Sequence, residues 1–418
     1  MVKSTWKWNK SFKSRPALAG LCCIALVCIA IRCTTAEKAS SDADIAGEMK
    51  ALMAEHFYDK SKVPDIVAGL DSIGKNPNDV RSQLKDFLSG LGVSHIGLYT
   101  PDDFEYYDYL DLFNFMYTDR VKKLFPPDGV VRYPGIGVVP RLIDGRYYAA
   151  FVFANTPAAR AGILPGDELL AVDGSEYSPI GAFKGKAGRK VKLALRREEN
   201  GPEEEREIAV ENLNPAEMFI ASTGASAKVI ERGGRKFGYI RLYAFTHDTI
   251  PRILIDNLSS AEFSTADALI LDLRGRLGGA PLDAAEMFVG GTPNVVGVTS
   301  RGDIVRNYRW TKPVVAVTGP ETRSGMEMIA YSLKKAGAPL VGASTRGAFL
   351  GGTTFFLGDG SLVMIPAMDC KIEGLDQGIE GIGVAPTVPI DAPLEYSQGR
   401  DQQFEAAVEK ALEIVGGG

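Results

Sequence analysis

Residues 266–273 read Ala-Asp-Ala-Leu-Ile-Leu-Asp-Leu, a nearly continuous apolar run closed by Arg274-Gly275. A strand with one wet face alternates apolar and polar residues, so a run of this kind belongs to a sheet covered on both faces. Pro313 to Val317 and Pro339 to Val341 repeat the signal, and Lys236 to Tyr243 reads as a further strand. Between them stand helix patterns. One is Pro281 to Val289; the other is Gly325 to Lys335, with Met326, Ile329, Ala330 and Leu333 on one face and Gly337 as its stop. Strand, helix, strand, helix predicts an α/β core from about 215 to 414, paired in parallel through right-handed crossovers.

The preceding 86 or so residues, 129–214, carry a different pattern of short strands and turns. Gly135-Ile136-Gly137-Val138-Val139 reads as a strand entered through glycines, and Tyr147 to Ala154 as a second. Pro157 to Gly162 is a short helix, Pro165-Gly166-Asp167 a turn, and Glu168 to Val172 and Val191 to Arg196 are strands. Glu199 to Glu205 is expected as an acidic loop. Residues 37–128 open with helical spacing (Met49, Leu52, Met53, Phe57) and lead to Gly92-Val93-Ser94-His95-Ile96-Gly97-Leu98.

Residues 1–36 predict an export signal or membrane anchor rather than part of the fold. Five positive charges in the first 15 residues precede an uncharged run from Ala17 to Ile31, short for a spanning helix of about 20. Cleavage after Ala36, lipidation at Cys33 and retention as an anchor all stay open. The expected location is outside the cytoplasm, with the membrane engaged only through this segment. The chain carries a net charge of −5, and no acid precedes Glu37. Without the six cations before that point the body is roughly −11, which argues against nucleic acid as a partner.

Four of the five cysteines lie at or before Cys33, and only Cys370 remains in the body. Neither an internal disulfide nor a cysteine metal site can form there. His56, His95 and His247 are the whole histidine supply, too few for most zinc hydrolase schemes. No metal or cofactor is expected, and any Ser–His chemistry must use one of these three.

Ser324 stands between an apolar strand and the helix it opens, at the carboxyl edge of the sheet where α/β sites form. A helix N-terminus offers unpaired N–H groups to a developing oxyanion, although an N-cap is the simpler reading of Ser324 taken alone. Gly278-Gly279, past the end of the buried strand, would let backbone approach a ligand closely. Glu327, one turn after Ser324, fits a capping box. His247 reads as a surface residue, and Glu373 and Asp376 as parts of a polar loop.

Taken together, several stretches resemble the C-terminal processing and tricorn-type serine proteases. They are Gly238 to Leu242, Leu269 to Gly275 with Gly278-Gly279, Ser324-Gly325-Met326-Glu327, Gly342 with Thr345 and Gly347, and Ile379-Glu380-Gly381-Ile382-Gly383-Val384-Ala385-Pro386. The resemblance spans roughly residues 45–395. It implies a core like that of Clp protease and crotonase, with an N-terminal helical region. Residues 134–212 resemble an inserted PDZ domain, with Gly135, Ile136 and Gly137 at the carboxylate-binding loop.

One departure is informative. The processing proteases place a catalytic lysine just after the last glycine of Gly-x-x-Thr-x-Gly, where this chain has Ala348. The tricorn branch instead uses a Ser-His pair before the insertion, here Ser94-His95, and a glutamate, here Glu380. The resemblance then implies Ser324 as nucleophile, His95 as base, Ser94 and Glu380 behind it, and oxyanion donors from Gly325 and from Gly278 or Gly279. It implies an endopeptidase acting on unfolded or C-terminal protein segments, with an oligomer allowed. The rivals are a silent PDZ-bearing adaptor and a non-proteolytic enzyme on the same fold.

Overall fold

The computed structural model describes residues 45–73, 80–289, 294–298, 300, 302, 304–375 and 377–417. The export segment expected over residues 1–36 lies outside them. No helix among the described residues is long and apolar enough to cross a membrane.

The central sheet has six strands in the order Lys228–Arg232, Arg235–Arg241, Ala268–Asp272, Val314–Thr318, Leu340–Gly342, Val388–Pro389. The first two form an antiparallel hairpin, and every later pair is parallel. Its apolar strands are explained by cover on both sides. Leu269, Leu271 and Leu273 pack with Leu254, Met326, Ile329 and Leu333. Ala268 and Ile270 point the other way, onto Ala407, Val408 and Ala411 of the helix Gln402–Gly416. The sequence reading of an α/β core is thereby met.

A second, three-stranded sheet ties the N-terminal helices to this core. Gly97–Tyr99 pairs with Leu362–Met368, which pairs in turn with Gly351–Phe356. The helices Ile45–His56, Val63–Asp71 and Val80–Gly90 pack on it through Met49, Met53, Leu84 and Leu88 against Leu98, Val363 and Ile365. The segment that carries His95 is therefore fixed by strands that follow Ser324 in sequence.

The inserted region is closed at its neck by Tyr133–Gly135 pairing with Glu211–Leu213. Beyond it lies an antiparallel sheet in the order Val138–Ile143, Arg146–Val152, Glu168–Val172, Lys190–Arg196, Glu203–Ala209. Three expectations need correction. The strand read as 135–139 is two strands in different sheets, because the backbone turns at Gly137 with φ of 83°, where a Cβ would come within 2.2 Å of Thr156. The acidic stretch ending at Glu205 is not all loop, since Glu203–Ala209 is an edge strand. Its carboxylates face cations across the pair, Glu203 on Arg196 at 3.0 Å and Glu205 on Lys192 at 2.8 Å. This cross-strand pairing compensates for a composition poor in strand formers. The helix expected over 281–289 shrinks to Glu286–Val289 after turns.

Candidate active site

Ser324 precedes the helix Gly325–Lys335 with φ of 54° and ψ of −133°, a conformation that costs a non-glycine residue about 1–3 kcal/mol. His95 also has a positive φ, again 54°. Two such residues persist only where their surroundings over-determine them.

At Ser324 the determinant is Glu327. Its side chain is fully buried, and among the described residues no cation lies within ion-pair distance of it. It accepts from Ser324 N–H at 3.0 Å, Thr345 Oγ1 at 2.6 Å, Gly347 N–H at 2.8 Å and Ala348 N–H at 2.8 Å. Burial pushes its pKa up, and these hydrogen bonds oppose the shift. The Ser324 N–H also points to Ala348 O at 2.9 Å. Glu327 thus clamps the Ser324 turn to the Thr345–Ala348 strip. A capping box explains one of its four contacts; the other three join segments about twenty residues apart, and nothing local in the sequence announces them.

At His95 the determinant is Glu380. Its Oε1 accepts from Ser94 N–H at 2.8 Å, and its Oε2 from Ser94 Oγ at 2.9 Å, Phe349 N–H at 2.6 Å and Leu350 N–H at 3.1 Å. Ser94 Oγ lies 2.9 Å from His95 Nδ1. A hydroxyl has one proton. Since Ser94 gives it to the carboxylate, Ser94 Oγ can only accept from Nδ1–H, which leaves the lone pair of neutral imidazole on Nε2. Desolvation, reinforced by the positive charge of Arg323, pushes the His95 pKa down to about 3, so the ring is neutral at ordinary pH.

The strip 348–352 joins the two halves. Ala348 holds the Ser324 N–H, Phe349 and Leu350 hold Glu380, and Gly352 lies beneath the His95 ring. A Cβ on Gly352 would sit 2.8 Å from His95 Cβ and 3.1 Å from Cδ2. On the other side Gly278 approaches Ser324 so closely that a Cβ would lie 2.5 Å from Ser324 Cβ and 3.1 Å from its Oγ. Gly325 abuts Ala280 of the same loop, where a Cβ would meet the Ala280 carbonyl oxygen at 2.2 Å. The loop carrying Gly278 and Gly279 therefore lies against both Ser324 and the first turn of the helix that follows it. Ala348, at the position the resemblance reserves for lysine, is buried and serves through its backbone alone.

His247 is exposed, and its Nδ1 accepts from Thr249 N–H at 3.1 Å. Its neighbour Thr246 touches the Gly279 position, which puts His247 on the rim. His56 stacks on Phe355 at 4.5 Å. Glu373 is exposed, and Asp376 lies outside the described residues. Gly135 and Ile136 stand at the neck of the insertion, and Gly137 starts its edge strand Val138–Ile143. From that strand Arg141 pairs with Glu321, three residues before Ser324. Among the described residues no group of three or more His, Cys, Asp or Glu side chains converges as a metal site would need.

The chain is 29% identical over 276 residues to a carboxyl-terminal-processing protease of Picosynechococcus sp., a match covering 61% of this chain and 64% of the relative. It is 25% identical over 283 residues to the carboxy-terminal processing protease CtpB of Bacillus subtilis, covering 64% and 57%. Tricorn protease homolog 1 of Streptomyces coelicolor is 27% identical over 280 residues, covering 62% of this chain and 25% of that one. The chain thus spans less than two thirds of the length of these relatives. The solved photosystem II D1 C-terminal processing protease shares the fold with a TM-score of 0.50 at 18% identity, over 88% of this chain and 99% of that one. Mature CPAF complexed with lactacystin gives 0.51 at 13%, over 90% and 99%. Residues 236–390 match the model of peptidase family S41, and the chain is similar over most of its length to C-terminal processing and tricorn-type proteases.

Proposed function

We propose that this chain is an exported serine endopeptidase in which Ser324 attacks a peptide carbonyl and His95 takes its proton. The observation that carries this reading is the Glu380 carboxylate, which collects the Ser94 hydroxyl proton and so presets the His95 tautomer. A base with its lone pair on Nε2 can accept the Ser324 proton and return it to the leaving amine. The amides of Gly325 and of Gly278 or Gly279 are the donors proposed for the oxyanion. Ser94 and Glu380 act as positioning residues behind the imidazole.

Residues 134–212 are proposed as a PDZ-like module that takes up an extended segment with a free C-terminus. Val138–Ile143 is an edge strand, and Leu142 on it is 58% exposed, so backbone pairing and an apolar contact are both on offer. The basic, apolar stretch before Glu37 supports export to the cell envelope.

The test is a broad serine-directed fluorophosphonate followed by peptide mapping. An adduct on Ser324 that disappears in His95→Ala supports the reading. An unmodified Ser324 in folded protein favours the silent adaptor. Deleting 134–212 separates the module's role: KM for protein substrates with free C-termini should rise while short unstructured peptides are still cut.

A further inference from the structure

The segment Gly275-Arg276-Leu277-Gly278-Gly279 carries both loop glycines proposed as oxyanion donors. Glycine lends a backbone little stiffness of its own, and only Arg276 and Leu277 have side chains with which to hold the loop. Its main chain is tied to residues just past the strand Arg235–Arg241. Tyr243 O accepts from Arg276 N–H at 2.6 Å and from Leu277 N–H at 3.2 Å, and the Gly278 carbonyl accepts from Phe245 N–H at 2.9 Å. A peptide unit is planar, so this last bond also sets the direction of the Gly279 N–H.

The side chains tie the loop to a different element, the helix Phe104–Leu112. Leu277 is buried in the same apolar cluster as Phe104 and Leu110. Arg276 sets one guanidinium nitrogen, Nη2, between two carboxylates of that helix, with Glu105 Oε1 at 2.7 Å and Asp108 Oδ2 at 3.0 Å. The first contact is a hydrogen bond and the second an ion pair without one. The Arg276 side chain is 14% exposed and that of Asp108 only 5%. Burial works to raise the Glu105 pKa, but Arg276 outweighs it and the shift is downward, whereas burial pushes Asp108 up to about 7. Glu105 is therefore the firmer anchor. A buried ion pair adds little net stability over apolar packing of the same volume, so stability alone does not explain one beside this loop.

We infer that Arg276 is a positioning residue: anchored on Glu105 and Asp108, it fixes the Gly278-Gly279 amides where the oxyanion forms. This rests on the proteolytic reading above. Arg276 acts through the loop and not on the substrate. A misplacement of about 1 Å can cost on the order of 10²-fold in rate, and a whole oxyanion donor is worth about 10²–10³-fold in kcat. The loss falls where charge develops on the carbonyl oxygen, in the transition state, so kcat suffers and KM does not.

The test compares a peptide methyl ester with its thionoester, in which sulfur replaces the carbonyl oxygen, as substrates of the full chain. Sulfur is a weak hydrogen-bond acceptor, so the ratio of the two kcat/KM values reads how well the oxyanion donors are aimed. A smaller folded fraction, or a fault at His95, lowers both rates and leaves the ratio alone. Arg276→Met should lower kcat for the oxygen ester by about 10- to 100-fold at nearly constant KM, and should shrink the ratio with it. Arg276→Lys should recover much of both, because a single nitrogen serves the two carboxylates. Where Arg276→Met does not fold, Glu105→Gln is read in its place; Arg276 then keeps Asp108, and the ratio should fall in the same sense. A wild-type ratio in either folded variant, or an Arg276→Lys no better than Arg276→Met, overturns the assignment. A wild type that neither cleaves these esters nor takes a fluorophosphonate label overturns the proteolytic reading itself, and the assignment with it.

Discussion

The hydroxyl of Ser94 lies 2.9 Å from the carboxylate of Glu380, and this contact decides which nitrogen of His95 is free to act as a base. Removing the hydroxyl should leave the imidazole in place but unassigned between tautomers. We expect Ser94→Ala to lower kcat by about 10- to 100-fold with little change in KM, by analogy with partners that orient metal-bound histidines. Steady-state kinetics on an unstructured peptide, with thermal melting as the control for folding, check this.

Glu380→Gln should cost both activity and stability. The carboxylate accepts four hydrogen bonds from one serine and two backbone amides. An amide can turn an oxygen to only one side, so its NH2 group must face an N–H or O–H donor. Each buried donor left without an acceptor costs about 1–3 kcal/mol. The loss in kcat should still be smaller than for Ser324→Ala or His95→Ala, because Glu380 orients the base and does not transfer the proton.

Glu327→Gln tests the clamp on the nucleophile turn in the same way, with orphaned donors at Ser324, Gly347 or Ala348. Thr345→Val is the companion variant. Thr345 Oγ1 both donates to Glu327 at 2.6 Å and accepts from Val384 N–H at 2.7 Å, so its loss strands two partners at once. A destabilisation of about 1–3 kcal/mol is expected from denaturant melts, together with a lower kcat. An unaltered kcat in the folded variant would show that Ser324 holds its conformation without the clamp.

The pH profile follows from the depressed His95 pKa. In the proposed mechanism the neutral ring is the active form, and protonation sets in only toward pH 3, so kcat/KM should stay level as pH falls through 6.5 and drop well below it. The sign for stability agrees. Between about pH 3 and 6.5 the unfolded chain binds a proton at this histidine that the folded chain refuses, so stability falls as pH falls across that window. His95→Gln should remove this part of the slope, and Arg323→Met should move the acid limb of kcat/KM upward. An acid limb centred at the ordinary histidine value would contradict the desolvated environment.

Much of this was legible in the chain, for reasons that can be named. The parallel sheet showed itself because Leu269, Ile270 and Leu271 face opposite layers that are both apolar. His95 stood out because three histidines leave little choice. Ser94 and Glu380 required the family resemblance, since nothing local ties residues 286 positions apart. Glu327 was misjudged because a capping box accounts for its spacing, while its contacts with Thr345, Gly347 and Ala348 depend on how the strip folds back. Glu203 to Glu205 read as loop because like charges in a row look unfit for a strand until Lys192 and Arg196 are seen opposite them. The split at Gly137 depends on a positive φ beside Thr156, a tertiary contact that spacing does not encode.

The central claim is that Ser324 and His95 act as one unit, and the most direct measurement is kcat/KM for Ser324→Ala, His95→Ala and the double variant on one unstructured peptide. Groups acting as a unit lose their effect together, and a single knockout in a hydrolase triad can cost about 10⁶ in kcat. The account predicts that either single change abolishes turnover in folded protein and that the double variant is no worse than the singles. Near-normal turnover in His95→Ala, with the loss appearing instead in His247→Ala, would contradict it.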